Sequence, residues 1–328
     1  MITAILAIII GFIGLIWSAD RFVTGAAGIA RNLGMAPITI GLTVVALGTS
    51  APEILVAISA ALEDASELAV GNAIGSNLAN VGMVLGITAL VAPIPIRFGL
   101  LKREFPLLIG ATLGAGLLLY DNELSVIDGL LLLTGLAAIF YYLVTCQAHL
   151  PNEEQEADLE QIPDISNRSA WKLFFIGLVL LMISSHVLVA GAKDIASALG
   201  VSELVIGLTV VAIGTSLPEL AATVASALKG HHDIALGNIV GSNLFNLLAV
   251  MSMPALINPP TLDSEVFTRD YAAMTAITLL LAAIALCHKL WANRHMDSPT
   301  SGCTTSTIGR LEGLLLLLAY GLYFTVLF

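Results

Sequence analysis

The chain has 328 residues, of which 57% are hydrophobic and 11% charged, with a formal net charge of −11. That charge content excludes a water-soluble domain of this length, which carries about a quarter charged residues. No basic cluster exceeds Lys102-Arg103, which excludes a nucleic-acid partner. Cys146, Cys287 and Cys303 have neither ligand spacing nor even pairing, so no metal or redox role is expected of them.

In chain order, apolar blocks between polar breaks predict ten membrane spans, near 3–27, 38–62, 67–92, 99–119, 125–146, 170–193, 203–228, 233–257, 268–290 and 308–327. Each is close to the roughly 20 residues that a helix needs to cross the hydrocarbon layer. The first block lacks a basic leader segment and runs long for a cleaved signal, so it is expected to stay as a helix. Spans two, three, seven and eight are rich in Gly, Ser, Thr and Asn, which suits helices packed on helices rather than on lipid. The acidic segment 147–169 divides the chain into 1–146 and 170–328, five spans each. Its acidic run 153–164 could bind Ca²⁺ but reads better as a solvated linker, since it lacks the pattern of an EF-hand loop.

Arg31, Arg97, Lys102, Arg103, Arg168, Lys172, Lys229, Lys289, Arg294 and Arg310 fall on one side of this arrangement, and only Lys193 and Arg269 on the other. The positive-inside rule then makes 147–169 cytoplasmic and places both termini outside. Arg21, late in the first span, is expected to snorkel to the basic side and to pair with its neighbour Asp20.

The strongest signal is a repeat. GLTVVALGTSAPE at 41–53 recurs as GLTVVAIGTSLPE at 207–219, and GNAIGSNLAN at 71–80 recurs as GNIVGSNLFN at 237–246. A single offset of 166 aligns both without a gap, and also pairs Gly25 with Gly191 and Gly34 with Gly200. Because each half has an odd number of spans, its copy enters the membrane from the opposite side. This is an inverted-topology repeat, common among secondary transporters.

Each copy puts a carboxylate mid-span, directly after a helix break. Pro52 has no N–H and its ring clashes with the Gly48 carbonyl, so a regular helix cannot pass through GTSAP. Carbonyls from Ala46 to Thr49 lose helical partners, Ser50 adds a hydroxyl and Glu53 a full charge. The second copy repeats this at Ala212, Thr215, Ser216, Pro218 and Glu219. Such a break is tolerated in a membrane only where protein or a wet cavity supplies partners, and a cation is a natural one.

Asn72, Ser76 and Asn80 form an i, i+4, i+8 stripe, matched by Asn238, Ser242 and Asn246. The whole set offers oxygen only, which suits hard cations such as Ca²⁺ and Na⁺. One such Glu alone could be a hinge or a hydrogen-bond partner; two in matched inverted motifs favour an ion site. For Asn72, Asn77, Asn238 and Asn243 interhelical hydrogen bonding competes with ion contact, and for the glycines of GNxxGSN close packing is preferred to ligation.

At these motifs the chain resembles the sodium/calcium exchanger branch of the cation/Ca²⁺ exchanger superfamily, in particular bacterial inner-membrane antiporter-like proteins, over essentially its whole length. The resemblance implies an all-α fold of two five-helix inverted repeats. It implies Ca²⁺ held by the Glu53 and Glu219 carboxylates with the Thr49 and Thr215 carbonyls. It also implies Na⁺ sites using Ser50, Ser216, Ser76, Ser242 and the carbonyls of Ala46 and Ala212, with Asn80 and Asn246 in the central position. The first and sixth spans would slide across the rest. One position departs from the family pattern: an Asn from one repeat and an Asp from the other are expected centrally, and here both are amides.

The expected function is therefore exchange of Ca²⁺ for Na⁺ by alternating access. A Ca²⁺/H⁺ antiporter using the same two glutamates is the reading within the same class, and a cation channel the reading from another. No enzyme is expected, since no His set or nucleophile–base pair is apparent in the spans. The implied partners are inorganic cations and the lipid bilayer of a prokaryotic inner membrane, with no cofactor and no protein partner evident.

Overall fold

A computed structural model describes residues 1–96, 98–147, 162, 164–200, 212–295 and 306–327. Most of the acidic linker lies outside the described residues, as does 201–211, which includes the first part of the seventh expected span, 203–228. The described residues are helical almost throughout, with one two-stranded antiparallel ribbon among them pairing Ile94–Ile96 with Ser306–Ile308. Six described helices are long and apolar enough to cross a membrane: Ile2–Leu33, Ser66–Val91, Val126–Thr145, Asn167–Ala198, His232–Ile257 and Val266–Cys287. A seventh crossing results if Pro37–Thr49 and Ala51–Leu62, bent by 43° at Ser50, are one broken span. The fourth and tenth expected spans coincide with helices Phe98–Leu118 and Arg310–Leu327.

The described residues form two compact units, 1–53 with 140–242 and 54–139 with 243–328. Each unit draws on both sequence repeats. In the first, helix α1 (Ile2–Leu33) packs along most of its length against helix α2 (Asn167–Ala198). Glycines make this approach possible. A Cβ at Gly25 would collide with the Phe174 backbone, and one at Gly177 with the Phe22 backbone. Phe22 and Phe174 then stack with ring centroids 4.8 Å apart, inside a core that also holds Leu15, Val23, Ile29 and Leu181. Helix α1 ends at Gly34, whose left-handed φ of 62° is one that L side chains rarely adopt.

In the second unit, Ser66–Ala79 continues through a π-helical turn at Asn80–Leu85 into Gly86–Val91. Arg310–Leu327 packs on it, with Gly82 against Tyr320 and Gly86 against Gly313 and Leu317. A second π turn, Asn246–Val250, sits 166 residues later, at the matching place in the second repeat. A π turn widens the helix by one residue and changes which side chains share a face. Both begin at the asparagine that ends the polar stripe.

Candidate functional site

The two helix breaks have the same backbone. Ala46–Thr49 ends at Ser50, with φ −87° and ψ 2°, and Ala51–Leu62 starts afresh with Pro52 in its first turn. Ala212–Thr215 ends at Ser216, with φ −89° and ψ 3°, and Leu217–Leu228 starts with Pro218 in its first turn. Proline suits that position because the first N–H groups of a helix have no intrahelical acceptor. The glutamate follows in the first turn of each new helix, where the unpaired N–H groups favour negative charge.

The first unit brings these parts together. Glu53 and Glu219 are 1% and 2% exposed. The Ser50 hydroxyl donates to Glu219 Oε1 at 3.3 Å, bridging 169 residues of sequence and joining one motif to the other. Thr49 Oγ1 donates to Asn238 Oδ1 at 3.1 Å and lies 3.4 Å from Ser242 Oγ. Thr49, Ser50, Ser216, Asn238 and Ser242 are all fully buried. Glu53 Oε2, Glu219 Oε2 and Ser216 Oγ have no hydrogen-bond partner among the described residues. Buried oxygens without partners are costly, and a cation that accepts their lone pairs removes that cost.

The helix that carries Asn238 and Ser242 reaches this cluster through glycine. Gly237 lies against Ile38 and Gly41, and Gly241 against Leu42 and Ala46. The glycines of this GNxxGSN copy therefore serve close packing, as the sequence suggests, and the polar side chains between them are brought against the first break as a result. In the second unit Ser76, Asn80 and Asn246 are buried, and both amide atoms of Asn80 and of Asn246 lack partners among the described residues. Asn77 donates to the Asn243 carbonyl at 3.3 Å, an interhelical bond of the expected kind.

Three features escaped the sequence reading. Ser185 donates to the Gly214 carbonyl at 3.0 Å, satisfying one group freed by the second break. Thr223 accepts from Asn238 Nδ2 at 2.9 Å; it lies four residues after Glu219 on one helix face, a spacing that could have flagged it. Lys229 Nζ pairs with Asp20 Oδ1 at 2.7 Å, shorter than the 3.4 Å from Arg21 to Asp20 Oδ2. The expected neighbour pair of Asp20 and Arg21 is thus joined by a residue 209 positions away. Periodicity holds no signal for such a contact.

Known proteins agree with this architecture. The family described as sodium/calcium exchanger protein matches residues 3–145 and 169–328. The putative antiporter CaxA of Alkalimonas amylolytica is 44% identical, over 100% of this chain and 99% of its own length. The inner membrane protein YrbG of Escherichia coli is 38% identical, over 87% and 89%. Among solved structures, the sodium-calcium exchanger NCX_Mj soaked with zero Na⁺ and Ca²⁺ superposes with a TM-score of 0.82 and 31% identity, over 99% of this chain and 98% of that one. The chain is a polytopic helical transport protein and belongs to the sodium/calcium exchanger family.

Proposed function

We propose that the chain exchanges Ca²⁺ for Na⁺ across the membrane by alternating access. The observation that carries this reading is the pair of buried glutamates, one after each helix break, in a cluster of oxygen ligands that the bond from Ser50 to Glu219 ties together. Two carboxylates suit a desolvated divalent ion, and hydroxyl and amide oxygens suit Na⁺. Against the expectation from the break, the Ala46 carbonyl keeps a helical partner in the Ser50 N–H at 2.9 Å. Ca²⁺ is assigned to Glu53, Glu219 and the carbonyls of Thr49 and Thr215. Na⁺ is assigned to Ser50, Ser216 and Ser242, the carbonyls of Ala46 and Ala212, and the same glutamates. Ser76, Asn80 and Asn246 supply oxygens of the same kind in the second unit. No cofactor or protein partner is invoked.

The membrane layout is proposed with it: ten spans as two inverted repeats, 1–146 and 170–328, with the linker 147–169 cytoplasmic and both termini outside. Cysteines placed at 155 and 328 in a cysteine-free background should label from opposite faces, and same-side labelling overturns the inverted repeat. The functional test is radiolabelled Ca²⁺ uptake into proteoliposomes under separately imposed Na⁺ and pH gradients. Uptake driven by Na⁺ at fixed pH is expected. Uptake driven only by the pH gradient would make H⁺ the counter-ion.

A further inference from the structure

Asn238, for which the sequence leaves ion contact and hydrogen bonding in competition, is not among the ligands proposed above, yet it joins parts of the cluster. It is fully buried, and each end of its amide has work. Oδ1 accepts from Thr49 Oγ1 at 3.1 Å; Nδ2 donates to Thr223 Oγ1 at 2.9 Å and faces the Glu219 carbonyl at 3.5 Å. The amide therefore spans from the first break to the helix that bears the second glutamate.

Its orientation follows from those partners. Turned over, the amide oxygen would face the Glu219 carbonyl oxygen, setting two acceptors against each other with no proton between them. With Nδ2 on that side, Oδ1 points at Thr49 and is the nearer acceptor for its single proton, at 3.1 Å against 3.4 Å for the Ala46 carbonyl. Having donated there, Thr49 Oγ1 accepts from Ser242 Oγ at 3.4 Å. The Ser242 proton goes to Thr49, and the Ser242 lone pairs face away from that bond. A cation binds lone pairs and is repelled by a hydroxyl proton, so the direction of this chain of hydrogen bonds matters.

We propose that Asn238 is a positioning residue for Na⁺: by forcing Thr49 to donate, it turns the Ser242 hydroxyl so that its oxygen is presented to the ion. The inference rests on the exchanger reading and adds a residue that sets ion preference without touching the ion. Ca²⁺, held chiefly by Glu53 and Glu219, depends on this polarity far less than Na⁺ does.

The test measures the half-saturating concentrations of Na⁺ and Ca²⁺ for exchange in proteoliposomes. Asn238→Ala should raise that for Na⁺ about fivefold, the worth of one hydrogen bond, while that for Ca²⁺ changes less than about twofold. On a Ser242→Ala background, Asn238→Ala should give no further Na⁺ shift, because the oxygen it orients is gone. If Asn238→Ala does not fold, Thr223→Val, which keeps side-chain shape but removes the amide's anchor, should shift Na⁺ in the same direction. Equal shifts for both ions, or full additivity with Ser242→Ala, would overturn the proposal and leave Asn238 a structural brace. Absence of exchange in the unmodified protein would instead overturn the transport reading, and this inference with it.

Discussion

The two copies of the broken helix share one backbone and differ in how their side chains are held. Ser50 and Ser216 agree within 2° in φ and 1° in ψ, although 166 residues separate them. Yet Ser50 donates to Glu219, whereas Ser216 Oγ has no partner among the described residues. Asn238 is fully buried and bonded at both ends; its counterpart Asn72 is only partly buried, with an unpartnered Nδ2. Local sequence sets the backbone, because proline and the residues before it act within one turn. Tertiary packing sets the side-chain network, and in this conformation it treats the copies unequally. Under the inverted-repeat layout proposed above, presenting one site to two sides needs both properties: equivalent parts, and an arrangement in which they are not used equivalently at the same moment.

The largest expected effect tests the equivalence. Glu53→Gln and Glu219→Gln each remove one unit charge beside a divalent ion. At about 4 Å and an effective dielectric near 20, a unit charge and a divalent ion interact by roughly 8 kcal/mol, or about a millionfold in Ca²⁺ affinity. Both should abolish Ca²⁺ uptake while the protein remains folded in the membrane. Near-normal flux at saturating Ca²⁺ in either variant would remove that glutamate from the site.

A second substitution breaks the equivalence on purpose. Asn80 and Asn246 are both neutral, so the two glutamates can be balanced by one Ca²⁺ or by two Na⁺. A third Na⁺ would leave a net positive charge in the membrane interior, a costly state. Exchange close to electroneutral is expected, with Ca²⁺ uptake little changed by K⁺/valinomycin potentials at a fixed Na⁺ gradient. Asn246→Asp supplies a third carboxylate and should introduce voltage dependence. One net charge per cycle gains about 2.3 kcal/mol per 100 mV, close to fiftyfold in the driving ratio. Strong voltage dependence already present in the unmodified protein would refute the charge argument.

The third prediction sharpens the difference between the copies. Ser50→Ala removes a charge-assisted hydrogen bond to Glu219 and should raise the half-saturating Ca²⁺ concentration roughly tenfold. Ser216→Ala removes no such bond and should raise it less than about threefold. Equal shifts would mean that the two serines act alike over the transport cycle.

Much of this was legible in the chain because it is local or repeated. The break at Pro52 and Pro218, the oxygen-only character of the polar side chains, and the offset that pairs Asn80 with Asn246 all follow from residue type and spacing. The side-chain network was not legible. Its bonds join residues 169 and 189 positions apart, and helical periodicity says which face a residue occupies but not which face it meets. The π turns at Asn80–Leu85 and Asn246–Val250 were missed for a related reason: an extra residue in one turn comes from packing, and no residue type announces it.

The turns that follow the two copies extend the comparison to stability. Asp64 and Gly230, 166 residues apart, both take a left-handed backbone, with φ 58° and 79°. The first turn is acidic, Glu63-Asp64, and the second basic, Lys229-Gly230-His231-His232, as expected if inversion puts them on opposite faces. Gly230→Ala places a Cβ in that conformation and should cost about 1 kcal/mol, seen as a lower Tm in detergent. Asp64→Gly should change stability by under about 0.5 kcal/mol, since relief of backbone strain is offset by a freer unfolded chain. A larger loss there would assign the weight to the Asp64 bond with Asn258, 3.1 Å long.

The smallest effect belongs to the second turn alone. His231 is half-buried, its backbone N–H donates to the Ser226 carbonyl at 2.9 Å, and in the first turn its counterpart is Ala65, which cannot titrate. Burial first, then the charges of Lys229 and His232, push the His231 imidazole below its ordinary pKa of 6.5. Lys229 is itself held by Asp20, so its positive charge stays close to the turn. At pH 8 the imidazole is neutral whether the protein is folded or unfolded, and it contributes no pH dependence. As pH falls through 6.5 the unfolded chain takes up a proton that the folded turn resists, so the folded state loses stability on the acid side. Thermal unfolding between pH 8 and pH 5.5 should therefore show a smaller fall in Tm for His231→Gln than for the unmodified protein. Introducing histidine at the matching place with Ala65→His tests the contrast, because that turn has acidic neighbours in Glu63 and Asp64 and should hold a protonated imidazole more readily. Identical pH profiles for His231→Gln and the parent would show that the basic turn carries no such linkage.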